Sequence, residues 1–334
     1  MTLNVALAMP ENTARGVFPP RSLDPLQPSL NILSRKPIQD FHSPDGRALI
    51  SKADILLTGW GCPMIDEAVL DAAPRLRYVL HAAGSIKHHI GEACWERGIQ
   101  VSSAADANAI PVAEYTVAMI ILANKRVLQI ARALHTSREE VLPEQLFPDM
   151  GNYRKRVGII GASRIGRHVI RLLAPYELDI VVADPYLSPQ EASALGVGLV
   201  SLEQLITGSD VVSLHAPSLP STKNLIDAGL IQSMRPGATF INTARGELVD
   251  QDALLARVEQ GDLYAILDVT TPWVLPSDSG FYTHPNVLLT PHVAGSLGNE
   301  LERMAASAVD EALRLARGKP LRFRVRAEDL AFTA

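Results

Sequence analysis

Two residues of this chain carry the groups needed to handle a ketone beside a carboxylate. In the stretch INTARGELVD, Arg245 follows an apolar run, and in LLTPHVAGS, His292 follows another. A guanidinium fork grips a carboxylate and polarises an adjoining ketone, while an imidazolium hands a proton to the ketone oxygen as hydride reaches the carbon. Taken singly, an arginine near a helix end and a lone histidine are ordinary structural residues. Their joint placement on consecutive strand ends is what points to one crevice built for a 2-oxo acid.

A second chemistry sits upstream, where GASRIG at 161–166 leaves one apolar run and opens a helical stretch. Free backbone N–H groups and the helix dipole favour an anion at such a junction. Gly161 can make the tight turn and Gly166 can let helix and strand approach, but the middle glycine of the dinucleotide fingerprint is here Ser163. Asp184 ends the next apolar run, where a carboxylate accepts from both ribose hydroxyls and repels a 2'-phosphate, favouring NAD over NADP.

These groups need a scaffold that lines up strand ends. From RVGIIG through DIVVAD, DVVSLHAP, ATFINTA, YAILDV and NVLLTPH, short apolar runs alternate with helical stretches, the pattern of a doubly wound parallel sheet. NVALAMP, DILLTGWG, LRYVLHAAG and IQVSSAA form a second, smaller α/β set before it, and LGNELERMAASAVDEALRLARGK is one long amphipathic helix after it. The stretch PVAEYTVAMIILANKRVLQIARALH, beginning near Pro111, is expected to be the helical crossing between the two.

A chain of 334 residues, 47% hydrophobic, holds two domains with real cores. A net charge of -5 without a Lys/Arg block argues against nucleic acid or an anionic membrane as partner and leaves a small molecule. The N-terminus lacks the pattern of a secretory signal, and the apolar helix around VAEYTVAMIILA, interrupted by Glu114, is judged too short to span a bilayer, so the cytoplasm is expected. Cys62 and Cys94 are expected to be buried reduced thiols. No metal site is suggested, since beyond the His88–His89 pair the histidines show no ligand spacing.

Taken together, VGIIGASRIG, SLHAPSLPSTKNLI, INTARGELVD, LDV and NVLLTPHVAGS resemble the D-isomer-specific 2-hydroxyacid dehydrogenase family. The resemblance implies a Rossmann-type NAD-binding domain at 106–297 inserted into a smaller flavodoxin-like substrate domain formed by 1–105 and 298–334. It also implies NAD-dependent reduction of a 2-oxo acid to a D-2-hydroxy acid, and a homodimer formed through the NAD-binding domain, with the helix after Pro111 and the arm to Asp149 in contact. By this resemblance Arg245 binds and polarises the substrate and His292 is the general acid/base. The cofactor falls to Gly161, Ser163, Arg164, Ile165, Gly166, Asp184, Ala216, Pro217, Thr243, Ala244, Asp268 and Gly295, and the substrate carboxylate to backbone N–H groups of Gly84 and Ser85. The run SIKHH departs from the family's acidic loop, so that Lys87, His88 and His89 are either substrate contacts or exposed loop residues.

The main departure is Trp273, which stands where the family places a glutamate, five residues past Asp268. That glutamate accepts from the catalytic histidine and keeps it protonated; an indole N–H only donates and does neither. Three readings follow. The chain is a dehydrogenase with a less basic His292, Trp273 walling the pocket and Trp60 lining it from the other domain, which would suit a larger or aromatic 2-oxo acid. Alternatively another acid takes over, from Glu247, Asp278 or Glu300. Or the fold binds NAD as a nucleotide-responsive module with weakened turnover.

Overall fold

A computed structural model of the chain describes residues 2–27 and 29–331. The chain divides into two units, one taking the residues up to Ala109 and from Ser296 onward, the other Ile110–Gly295. In the first unit, strands β1 (Asn4–Ala8), β2 (Asn31–Ile32), β3 (Ile55–Thr58), β4 (Tyr78–His81) and β5 (Gln100–Ser103) pair in parallel in the order β5-β4-β3-β1-β2. This 2-1-3-4-5 order is that of flavodoxin-like sheets. Alternate residues feed two separate cores: Ala6, Leu56, Val79 and Val101 enter one, and Val5, Leu7, Ile55, Leu57 and Leu80 the other. Burial on both faces is why these strands read as unbroken apolar runs.

The second unit carries β6 (Arg156–Ile160), β7 (Asp179–Ala183), β8 (Gly198–Leu199), β9 (Val211–Leu214), β10 (Thr239–Asn242), β11 (Tyr264–Leu267) and β12 (Val287–Leu289). They are all parallel, in the order β12-β11-β10-β9-β6-β7-β8. Renumbered within the unit, this is the doubly wound 3-2-1-4-5-6 order with one further strand, whose reversal between β6 and β9 is the switch point where ligands of such sheets bind. β11 lies between β10 and β12. Arg245 and His292 therefore follow strands one removed from each other, a correction to the expectation of consecutive ends.

Three strands escaped the sequence reading, β2, β8 and β13 (Arg324–Val325), the last antiparallel to β5. Each is two residues long, too short to show a period. The crossing helix also differs: it runs Ala105–Asn124 with Pro111 inside it, and a left-handed Arg126 separates it from a second helix, Val127–Ser137. At 20 residues it is long and apolar enough by length and composition to cross a membrane, contrary to expectation, a test that core helices also pass. Val112, Ala113, Thr116, Ile120 and Ala123 along it are buried.

The thiols are free and buried, and Cys62 and Cys94 meet in one apolar cluster. Burial pushes Cys62 up to about 12 and Cys94 up to about 11, so neither supplies a thiolate near neutrality. Three histidines are also buried. The His81 and His89 rings pack with centroids 4.1 Å apart, His81 sharing a 2.9 Å hydrogen bond with Thr58, and His215 bonds Ser213 at 2.8 Å. Burial lowers His81 well below the usual imidazole range, with the His89 charge adding to it. It lowers His89 to about 4, the His88 charge contributing, and His215 to about 3.

Because these folded-state values lie below the unfolded value of about 6.5, the unfolded chain takes up protons first as pH falls. The stability contribution is complete above about pH 6.5 and declines toward pH 4, by up to roughly 1.4 kcal/mol per pH unit for each histidine. Urea unfolding between pH 7 and pH 5 should show a steadily falling midpoint, with a shallower fall in a His215→Gln variant. A pH-independent midpoint over that range would contradict it.

Candidate active site

The nucleotide corner is built at the end of β6. Gly161 turns the chain at φ +93°, and a Cβ there would meet the Ala216 backbone N at 2.9 Å; a Cβ on Gly166 would meet the Gly161 carbonyl at 2.1 Å. Both glycines are thus demanded by close backbone approach. Ser163 stands where the dinucleotide fingerprint has its middle glycine. It is the N-cap of the helix Arg164–Leu173, its Oγ accepting from the Gly166 N–H at 3.3 Å. Asp184 accepts from the Ala162 N–H and the Tyr186 N–H, both at 2.7 Å, one on each oxygen. Each oxygen keeps a lone pair for a ribose hydroxyl, and Ala216 and Pro217 follow β9 half-buried beside the Gly161 turn. The glycine cradle, the capped helix start and this carboxylate fit a dinucleotide.

The Arg245 loop is shaped by its neighbours. Asn242, 1% exposed at the end of β10, accepts from the Ala244 N–H at 2.9 Å and donates to the Arg245 carbonyl at 2.9 Å, closing a tight turn. Thr243 is buried with its hydroxyl 3.2 Å from that of Thr116. A Cβ on Gly246 would lie 2.3 Å from the Thr270 carbonyl carbon, so glycine there lets this loop touch the one after β11. Arg245 is partly buried and donates to the Ala244 carbonyl at 2.6 Å. Burial lowers its pKa, while the Glu247 charge raises it.

Asp268 organises the His292 loop. Its carboxylate, 1% exposed, accepts from the Thr290 hydroxyl at 2.6 Å, the Val293 N–H at 2.7 Å and the Ala294 N–H at 2.9 Å. His292 adopts φ +56°, and its own N–H donates to the Asp268 carbonyl at 2.9 Å. A left-handed residue aims the two following N–H groups at one anion, which explains why a non-glycine tolerates that backbone here. The Tyr115 hydroxyl, 3.1 Å from that of Thr290, extends the network. Three of the four acceptor positions of Asp268 are thus occupied by the His292 loop.

Trp273 meets His292 directly: the rings lie 4.7 Å apart, inclined by 34°. The imidazole Nδ1 is buried and has no hydrogen-bond partner among the described residues. Burial lowers the His292 pKa, the Asp268 charge raises it, and the Arg245 charge lowers it. Of the three acids considered from sequence, Glu247 and Asp278 share its unit and neither shifts its pKa, while Glu300 belongs to the other unit. Glu247 accepts from the Ser218 hydroxyl, Glu300 accepts from the Leu297 N–H at 2.9 Å, and Asp278 is exposed. The acid whose charge raises the His292 pKa is Asp268.

Arg245, Asp268, Trp273 and His292, with Gly295 just beyond, all belong to the second unit. Gly84, Ser85 and Trp60 belong to the first, in the loops after β4 and β3; Trp60 is exposed and the other two half-buried. In the same loop Lys87 is partly exposed and His88 exposed, but His89 is 4% exposed and packs on His81. His89 is thus a core residue, correcting both alternatives offered for it. Sequence reasoning missed Thr290, Asn242 and Gly246 as site builders; the threonine of TPH and the asparagine and glycine flanking TAR were the available signals.

Residues 117–294, more than half of the chain, match the sequence model of the family described as D-isomer specific 2-hydroxyacid dehydrogenase, NAD binding domain. The chain is similar to D-3-phosphoglycerate dehydrogenase of Mycobacterium tuberculosis, 34% identical over 272 residues that cover 80% of this chain and 50% of that protein. It spans about half the length of the curated relatives it matches. Among solved structures, a phosphoglycerate oxidoreductase from Rhizobium etli superposes with TM-score 0.82 at 24% identity, over 99% of this chain and 100% of that one. The NAD-complexed form of a D-isomer specific 2-hydroxyacid dehydrogenase from Lactobacillus delbrueckii ssp. bulgaricus gives 0.80 at 20% identity, over 97% and 100%. At these identities the two structures speak for the fold. The chain belongs to the D-isomer-specific 2-hydroxyacid dehydrogenase family, and residues 117–294 are its NAD-binding domain.

Proposed function

We propose that this protein is an NAD-dependent dehydrogenase that interconverts a 2-oxo acid and the corresponding D-2-hydroxy acid. The observation that carries the reading is the placement of Arg245 and His292 on the loops after β10 and β12, which flank β11 in one sheet of one unit. Bound NADH supplies the hydride. Arg245 holds the substrate carboxylate and draws electron density from the ketone, and His292 gives its proton to the ketone oxygen in reduction and takes it back in oxidation. Asp268 fixes the backbone from which the imidazole projects. The relatives named D-3-phosphoglycerate dehydrogenase support the reaction class.

A homodimer belongs to the same reading. The helix Val127–Ser137 buries none of its residues, and Leu134, Leu142 and Leu146 along it and the following arm are about half exposed, an apolar stripe for a second copy to cover.

With NADH and a 2-oxo acid, Arg245→Ala should lower kcat/KM by a hundredfold or more, on the order of 3 kcal/mol of transition-state stabilisation. His292→Ala should abolish measurable turnover while leaving NADH binding, followed by fluorescence, nearly unchanged. A loss below tenfold for Arg245→Ala would contradict its role. Because the His292 pKa is lowered, its proton is lost earlier as pH rises, so ketone reduction should fade on the alkaline side at lower pH than with a carboxylate neighbour. Trp273→Glu should move that limb of the pH profile upward by about one pH unit. An unmoved limb in the folded variant would show that position 273 does not set the histidine's basicity.

A further inference from the structure

The loop that carries Trp273 is braced, yet it presents its largest apolar groups to solvent. Gln251 clamps Thr271 from both sides, accepting from its N–H at 3.1 Å and donating to its carbonyl. The Thr270 hydroxyl donates to the carbonyls of Pro272 at 2.9 Å and Trp273 at 3.2 Å, and the Tyr282 hydroxyl donates to the Leu275 carbonyl at 3.2 Å. Leu275 is buried as an anchor, while Trp273 is 66% and Val274 72% exposed. One side of the indole lies against His292, leaving the rest of the ring as an apolar surface beside the proton donor. Adjoining exposed apolar groups on a fixed loop next to a reacting residue mark a contact surface.

The charge pattern narrows what it contacts. Between Arg257 and Arg303 the sequence has no lysine or arginine, while Glu259, Asp262, Asp268, Asp278, Glu300 and Glu302 fall in that stretch. Within that stretch a phosphoryl group or second carboxylate on the substrate would find only the histidines His284 and His292, and Arg245 is engaged by the carboxylate next to the ketone. An apolar or aromatic substituent would cover indole and valine surface and gain from both.

We propose that Trp273, with Val274, is the specificity-determining wall for the substrate side chain, selecting 2-oxo acids with an apolar, planar substituent over those bearing a second anionic group. The proposal rests on the reading of Arg245 and His292 as the reacting pair. It gives position 273 a role in choosing the substrate, separate from its effect on the basicity of His292.

The test measures kcat/KM with NADH for phenylpyruvate, glyoxylate and 3-phosphohydroxypyruvate, on the wild type and on Trp273→Ala, Trp273→Phe and Val274→Ser. The wild type should prefer phenylpyruvate over each of the others by roughly tenfold or more. Trp273→Ala should collapse the phenylpyruvate-to-glyoxylate ratio by roughly tenfold, mainly through KM, with Trp273→Phe keeping most of it and Val274→Ser lowering it more modestly. Equal losses on both substrates in Trp273→Ala would overturn the proposal, since the indole would then serve only His292. Wild-type preference for 3-phosphohydroxypyruvate would overturn this proposal alone and leave the Arg245–His292 reading standing. Absence of turnover on every oxo acid despite NADH binding would overturn both.

Discussion

The candidate site depends on one buried carboxylate. Asp268 directly follows β11, the strand between those that lead to Arg245 and His292, and through its two oxygens it gathers Thr290, Val293 and Ala294. A charged acceptor inside the protein binds N–H and O–H groups more strongly than a neutral one, and leaving it without them is costly. The loop has little freedom to be elsewhere. Its left-handed turn at His292 follows from meeting that carboxylate with successive N–H groups, and the imidazole is presented as a consequence.

The same arrangement explains how the site accommodates a tryptophan where relatives are expected to carry a glutamate. His292 is oriented through its backbone by Asp268, so the side chain at 273 is not required to hold the loop. What an indole changes is electrostatic: it covers the imidazole without accepting its proton, and burial then dominates the histidine's acidity. The Asp268 charge offsets part of that, but its lone pairs already face three other donors.

Much of the fold was legible because strands buried on both faces write continuous apolar runs, and those runs end where ligands bind. The runs around Ile160, Asn242 and Leu289 led directly to the Gly161 turn, Arg245 and His292. Strands of two residues, such as Gly198–Leu199, leave no such trace, and the left-handed break at Arg126 has no glycine to announce it. The role of Asp268 as a clamp was hidden for a different reason. It depends on β11 and β12 lying side by side, which brings residues 22 to 26 positions apart into contact. His89 misled because its neighbours Lys87 and His88 are polar, whereas Ile86, His89 and Ile90 form the buried side of the turn.

The most direct test of this account is amide hydrogen exchange at Val293 and Ala294 in the wild type and in Asp268→Asn, which keeps the shape but removes the charge and one acceptor. If the carboxylate holds the loop, both amides are protected in the wild type and exchange at least tenfold faster in the variant, while amides within β11 keep their protection. Unchanged protection at Val293 and Ala294 would contradict it, since the loop around His292 would then be held by something other than Asp268.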